Sequence, residues 1–251
     1  MKIEYFGKCL LIIENGETAL VVGDLHLGYE SGTQGLVKGG MFDEKVVEFE
    51  AIFKKVGRKV DKIILLGDVK HGFSRGNEQE WEEVRALMRY LKEGIKVGGE
   101  IIVLKGNHDN YLENITGKIT EKELGRIVEV KDCYLWKEIM FVHGDRDFEE
   151  IWNDEVELVI CGHVHPVINL EKGAKRERYK CYMFGEIENL KKKGKKKKLI
   201  VVPSFIENER GVDVREITRK WPWKYEINKF EIKVVGDDGK VFEFGKTGKI
   251  K

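Results

Sequence analysis

Short apolar runs recur along the chain, and five of them stop at a stretch that carries glycine together with Asp, Asn or His. Ala19 to Gly23 leads into Asp24-Leu25-His26, and Lys62 to Leu66 leads into Gly67-Asp68-Val69-Lys70-His71. Ile101 to Leu104 leads into Gly106-Asn107-His108-Asp109, Ile139 to Val142 into His143-Gly144, and Val156 to Cys161 into Gly162-His163-Val164-His165. Brief apolar runs bounded by such turns read as buried strands. All six histidines of the chain lie in these stretches, so its polar chemistry gathers at the carboxyl ends of strands.

The remaining pattern completes the predicted elements. Ile3 to Phe6 and Cys9 to Ile13 read as strands, and Asn15-Gly16 suits a hairpin turn into the strand that begins at Ala19. Gly28 to Gly40 reads as a loop. Asp43 caps a helix whose apolar face is Val46, Phe49, Ile52, Phe53 and Val56. Asn77 with Glu80 forms a capping box before a second helix, lined by Trp81, Val84, Leu87, Met88 and Leu91. Ile127 to Val130, Arg178 to Phe184 and Leu199 to Val202 are further strands, the last two joined by a loop at Lys191 to Lys198. Lys229 to Val235 and Lys240 to Phe244 flank Gly236-Asp237-Asp238-Gly239, a hairpin signal. Strands and helices alternate in the first half and strands dominate the second. Two sheets packed face to face, with helices outside, satisfy both patterns. The expected architecture is α/β, with a main domain over 1–212 and a small β extension over 213–251 that Trp221 and Trp223 pin to the sandwich.

Composition narrows the partners. With 251 residues, 41% of them hydrophobic, the chain can bury a substantial core, and a net charge of +1 gives no bulk attraction to nucleic acid or membrane. No run approaches the ~18 apolar residues of a membrane span, and the first residues lack a signal-peptide apolar region. Cys9, Cys133, Cys161 and Cys181 have neither zinc-knuckle nor redox-dithiol spacing, which points to a reducing, cytoplasmic setting. The tract Lys191 to Lys198 holds seven lysines around Gly194. It reads as a solvated connection, with nucleic-acid contact as the sharper alternative. Lys70 and Arg146 are read as solvent-facing, with phosphate contact again the alternative.

Asp24, His26, Asp68, Asn107, His143, His163 and His165 are oxygen and imidazole donors without a thiolate. Such a set suits Mn²⁺, Fe²⁺, Co²⁺, Ni²⁺ or Zn²⁺. It is too large for one ion, and two ions sharing one carboxylate is the economical arrangement. Two divalent ions against two carboxylates leave positive charge to hold a hydroxide and a phosphate ester together. The hydroxide attacks phosphorus in line. His108 is placed to protonate the leaving oxygen, and Asp109 to orient His108 or to cap its turn.

The ordered set Asp24-x-His26, Gly67-Asp68, Gly106-Asn107-His108-Asp109, His143 and Gly162-His163-x-His165 resembles the calcineurin-like metallophosphoesterase superfamily over roughly residues 19 to 205. Asp24-Leu25-His26-Leu27-Gly28-Tyr29, Gly67-Asp68-Val69-Lys70-His71, Gly162-His163-Val164-His165-Pro166 and Pro203-Ser204-Phe205 further resemble archaeal SbcD-related phosphoesterases, relatives of those encoded beside DNA ligase genes. The resemblance implies a four-layer α/β/β/α sandwich. It implies that Asp24, His26 and His165 hold one ion and Asn107, His143 and His163 the other, with Asp68 bridging and His108 as acid. Many members carry a second carboxylate soon after the bridging Asp. Here the segment is Val69-Lys70-His71, and His71 is expected beside the substrate or His108. The expected function is a dinuclear phosphoesterase, Mn²⁺ favoured, acting on nucleotide or nucleic-acid phosphodiesters. A small-metabolite phosphomonoesterase and a non-catalytic binding module of the same fold are the alternatives.

Overall fold

The computed structural model describes residues 1–29, 40–73, 78–110, 112, 127–172, 175–206, 211–218 and 220–250. Its first sheet follows chain order: β1 (Lys2–Phe6), β2 (Cys9–Glu14), β3 (Glu17–Val22), β4 (Val60–Leu65), β5 (Ile95–Leu104) and β6 (Val128–Lys131). β1 to β3 are antiparallel, turning at Asn15-Gly16 as expected. β3 to β6 are parallel, so α1 (Gly40–Val56) and α2 (Glu78–Glu93) serve as crossovers. Asn77, the expected cap of the second helix, lies outside the described residues.

Strand parity divides the apolar residues into separate cores. Leu11, Leu20, Val22, Ile63, Leu65, Ile101 and Val103 pack against Phe49 and Ile52 of α1 and Val84, Leu87, Met88 and Leu91 of α2. Their sequence neighbours Leu10, Ile12, Val21, Ile64, Ile102 and Leu104 face the other way and meet Phe141, Ile160, Tyr182, Ile200 and Val202 of the second sheet. Burial on both faces is why these strands read as unbroken apolar runs.

The second sheet contains β7 (Cys133–Trp136), β8 (Ile139–Val142), β9 (Leu158–Cys161), β10 (Pro166–Lys172), β11 (Lys175–Glu188), β12 (Lys196–Val201) and β13 (Val212–Asp213), in the order β13-β10-β11-β12-β9-β8-β7. The sequence reading missed β7, four mostly half-buried residues, and β10, where Asn169, Glu171 and Lys172 interrupt the apolar run. β14 (Lys224–Tyr225) and β15 (Glu231–Val235) pair with β11, and β16 (Val241–Lys246) pairs with β15. Gly236 to Gly239 forms the hairpin between the last two, with Gly236 N donating to Lys240 O.

Two sheets packed face to face, with helices outside the first, give the expected α/β sandwich. Among the described residues the outer cover of the second sheet is made by a 3-10 turn, Glu149–Trp152, and by residues within 212–218 and 220–230. Ile151, Trp152, Val214, Ile217, Trp221 and Trp223 cover Met140, Val142, Val159, Met183, Leu199 and Val201. Large indole rings bury enough apolar surface to close the layer without helical periodicity. Trp152 and Trp223 each donate from Nε1 to Asp147 Oδ1 at 2.8 Å, which satisfies their polar edge.

The lysine tract is only partly the connection expected. β12 begins at Lys196, and parity turns Lys197 inward, 8% exposed, with Nζ donating to the carbonyls of Asn153 and Val156. The cysteines are all free. No helix among the described residues is long and apolar enough to cross a membrane.

Asp213 ties the segment after β12 to β10. Its carboxylate accepts from Asn169 N at 3.0 Å, Asn169 Nδ2 at 2.8 Å, and Arg215 Nε and Nη2 at 2.8 Å each. Burial alone would raise its pKa, but these hydrogen bonds and the Arg215 charge lower it to about 2. An unfolded Asp titrates near ~3.9, so the unfolded chain takes the proton first. The stability this group contributes is whole above about pH 4 and is lost as pH falls through about 2. Asp213→Asn should therefore lower unfolding free energy by about 1–3 kcal/mol at neutral pH, with the gap to wild type closing on acidification in urea titrations. A gap that stays constant down to pH 2.5 would contradict this.

Candidate metal centre

The parallel strands deliver the polar loops to one edge of the sandwich. Asp24 follows β3, Asp68 follows β4, Asn107 follows β5, His143 follows β8 and His163 follows β9. The six carboxylates and imidazoles fall into two groups, Asp24 with His26 and His165, and Asp68 with His143 and His163. Within each group the donor atoms lie within 4.8 Å of one another. Residues far apart in the chain are locked together: His163 N donates to both Asp24 oxygens at 3.1 Å.

Close packing explains the glycines that precede these side chains. A Cβ on Gly106 would stand 2.1 Å from Asp68 Oδ1, and one on Gly162 would stand 2.4 Å from Asp24 Oδ2. The space a side chain would take is occupied by a carboxylate from the neighbouring loop. His26, Asp68, His163 and His165 all have positive φ, between 44° and 71°. Side chains other than glycine rarely adopt that backbone region, and its cost gathers at functional sites.

Asp68 joins the two groups. Its Oδ2 lies 3.5 Å from His26 Nε2 in one and 3.4 Å from His143 Nε2 in the other, while Oδ1 accepts from His108 N at 2.8 Å. His143 Nδ1 donates to Leu66 O at 2.9 Å, which turns Nε2 towards Asn107 Oδ1 and His163 Nδ1, both at 3.1 Å. Imidazole nitrogens and an amide group thus converge on one point, as the donors to a shared cation would. The backbone bond on Nδ1 is the usual way a metal-binding imidazole is oriented. The donor set fits divalent ions.

The charges of the site's own side chains agree with that reading. Burial pushes the Asp24 carboxyl up, but His165, His143 and His26 together hold it well below the usual carboxylate range. Asp68 is likewise raised by burial and lowered overall by His143. Burial lowers the His143 imidazole, yet the hydrogen bond to Asp68 and the charges of Asp24, Asp68 and Asp145 raise it to about 9. His163 is lowered by burial and by the charge of His143. Buried negative charge thus draws a proton onto the imidazole that faces it.

Around this floor sit groups nearer the mouth. His108 Nδ1 bonds to the His71 carbonyl, and its Nε2 lies 3.9 Å from Asp68 Oδ2. The His71 ring lies 5.5 Å from that of His108, and its Nδ1 is 3.2 Å from His26 Nδ1. His26, His71 and His108 bring their donor atoms together as a third group. Asp109 does not orient the His108 ring. Its buried carboxylate accepts from the backbone N–H groups of Gly106, Val69 and Lys70 at 3.0–3.2 Å, so it clips two loops together. Burial and the nearby Asp68 charge raise its pKa to about 7 against those bonds.

Lys70 departs from the sequence expectation. It is fully buried, and its Nζ donates to the carbonyls of Gly72 and His108. Burial lowers its pKa against the charges of Glu80, Asp109 and Asp68. Glu80 of α2, read from the sequence as a capping-box residue, has a second role, and Glu83 was missed by the sequence reading. Glu80 accepts from Gly72 N at 2.6 Å and Glu83 from Gly28 N at 2.9 Å, so the helix steadies both loops. Their signal was present: acidic residues at helical spacing within the stripe Val84, Leu87, Met88 and Leu91, at 3% and 7% exposure. Arg146 is exposed and pairs with Asp132 and Asp145. Pro203-Ser204-Phe205 backs the site: Phe205 N donates to Asp24 O at 2.7 Å, and its ring stacks on Phe49.

The family profile of calcineurin-like phosphoesterases matches residues 18–202, and the chain belongs to that family. It is a member of a metal-dependent class of hydrolases whose fold and donor groups it carries. Among solved structures it is similar to nuclease MPE of Pseudomonas putida, at 16% identity and a TM-score of 0.57, covering 94% of this chain and 100% of that one. Weaker similarities are to a predicted phosphoesterase of Streptococcus pneumoniae, at 16% identity, 92% and 98% coverage and a TM-score of 0.31. The zinc-complexed Vps29 of Entamoeba histolytica stands at 15%, 89% and 94%, and 0.32. No curated protein matches the chain.

His143 supplies a test of metal uptake. With its pKa near 9 in the metal-free protein, it carries a proton at pH 7 that a divalent ion must displace. Calorimetric titration of the metal-free protein with Mn²⁺ at pH 7, in buffers of different ionisation enthalpy, should show net proton release. Apparent affinity should rise with pH until about 9. Binding without proton release at pH 7 would contradict the assignment.

Proposed function

We propose that the chain is a dinuclear metal-dependent phosphodiesterase acting on nucleotide or nucleic-acid phosphodiesters, of the archaeal SbcD-related type. The observation that carries the dinuclear reading is the position of Asp68 Oδ2 within 3.5 Å of an imidazole nitrogen from each donor group. On this reading Asp24, His26 and His165 would hold one ion and Asn107, His143 and His163 the other, with Asp68 shared. The ions would supply Lewis acidity, neutralising phosphate charge and lowering the pKa of a water.

The chain's own residues do the rest. Asp24 and Asp68 balance part of the added charge. His143 is held in one tautomer by Leu66 O, so its Nε2 stays directed inward. His108 is oriented by the His71 carbonyl and lies beside Asp68, where a proton on Nε2 can pass to the leaving oxygen. Asp109 and Lys70 fix the loops that carry Asp68 and His108 and do not touch the reacting atoms. Nuclease MPE, similar in fold, supports a diester over a monoester substrate.

The test is hydrolysis of bis-p-nitrophenyl phosphate and p-nitrophenyl phosphate by protein stripped of metal and reloaded with Mn²⁺. The diester should be the better substrate. Asp68→Ala should abolish activity together with metal content. His108→Ala should keep its metal and lose roughly 10²–10⁴-fold on a diester with a poor leaving group. Hydrolysis of the monoester alone would replace this reading with a small-metabolite phosphatase. Inactivity of the metal-loaded protein on both esters would favour the non-catalytic module.

A further inference from the structure

Phe73 is an apolar side chain left in the open at the mouth of the site. It is 61% exposed, although the chain has large cores available to bury phenyl rings. Its ring centroid lies 3.8 Å from that of His108, with 31° between the planes. The backbone leading to it is hydrogen-bonded. Gly72 N donates to Glu80, Lys70 Nζ donates to Gly72 O, and Asn110 Nδ2 donates to Phe73 O at 3.2 Å. His71 lies near-parallel to His108, at 25°, and Tyr29 meets His71 edge-on at 4.8 Å. The approach to His108 is therefore walled by aromatic faces.

An exposed aromatic ring is a surface on which a planar group stacks. Stacking of this kind accepts any base, because every base presents a π-face. Position decides which part of a substrate it meets. The group that protonates a leaving oxygen stands on the leaving side of the phosphorus, and Phe73 lies directly beside that group. We propose that Phe73 is a specificity-determining residue: it stacks the nucleobase of the leaving nucleotide, selecting single-stranded or terminal nucleotidyl esters over alkyl phosphodiesters. This rests on His108 acting as the acid of a phosphodiesterase. Bases paired within a duplex already have both faces covered, so an unpaired or splayed base is the natural occupant.

The experiment compares base-bearing with base-free partners, using Mn²⁺-loaded protein. Substrates are a thymidine dinucleotide and two analogues with an abasic tetrahydrofuran at either position. A parallel calorimetric titration compares thymidine 3′- and 5′-monophosphates with the corresponding sugar phosphates. Wild type should prefer a base at one position by about 5- to 150-fold in kcat/KM, and should bind one monophosphate more tightly than its base-free analogue. Phe73→Ala and Phe73→Leu should bring both ratios near unity while leaving metal content and the rate on the abasic analogue within a few-fold of wild type. Phe73→Trp should keep the preference. Loss of the ratio in Phe73→Leu separates stacking from mere apolar cover. Absence of base selectivity in wild type, or its survival in Phe73→Ala, would overturn the proposal. Diester cleavage without base selectivity would remove this platform and leave the phosphodiesterase reading standing. Base-selective binding that depends on Phe73, in a protein that cleaves none of the three diesters, would do the reverse.

Discussion

The structure depends on the containment of the Asp68 carboxylate. It is almost fully buried, sits on a backbone with positive φ, and stands within contact distance of histidines from both sheets. Burying a carboxylate is costly unless it is paired and hydrogen-bonded. Here the compensation comes from His108 N, from the imidazoles of His26 and His143, and, on the proposed reading, from two cations. Other features follow from that containment. Gly106 must lack a side chain because the carboxylate occupies its space. Asp109 and Lys70 must bind loop backbone, because the loops carrying Asp68 and His108 would otherwise have buried polar groups without partners.

The same constraint explains why the fold needs two sheets. A single parallel sheet can bring Asp24, Asp68 and Asn107 to its edge. Only a second sheet, facing the first across the core of Leu10, Ile64, Phe141 and Ile160, delivers His143, His163 and His165 opposite them. The bonds from His163 N to Asp24 cross between the sheets. Folding and assembly of the centre are in this sense one event: the apolar packing sets the spacing at which the donors converge.

The sequence disclosed the strand-end motifs because each combines an abrupt end of apolar periodicity with a residue type that rarely clusters by chance. The helices of the first half were equally legible, since Phe49, Ile52, Val84, Leu87 and Leu91 repeat at helical spacing. The outer layer over the second sheet was not. Its cover is made by Trp152, Trp221 and Trp223 on irregular chain, and bulk without periodicity leaves no pattern. Lys70 was misread because a lysine next to a polar motif looks solvated. Its burial depends on carbonyls of Gly72 and His108, which only the fold brings together. Asp109 was half legible: a turn cap is a local inference, but its bonds to Val69 and Lys70 are not local. Phe73 showed no signal, since a single aromatic in a loop has meaning only beside the ring of His108.

The central claim is that Asp68 unites two ions in one centre. Low-temperature electron paramagnetic resonance of the metal-free protein titrated with Mn²⁺ addresses it most directly. The account predicts two ions per chain at saturation and the broad spectrum of an exchange-coupled pair, replaced in Asp68→Asn by the signal of isolated ions. A wild-type protein that saturates at one ion per chain, with the resolved hyperfine lines of an isolated Mn²⁺, would contradict it.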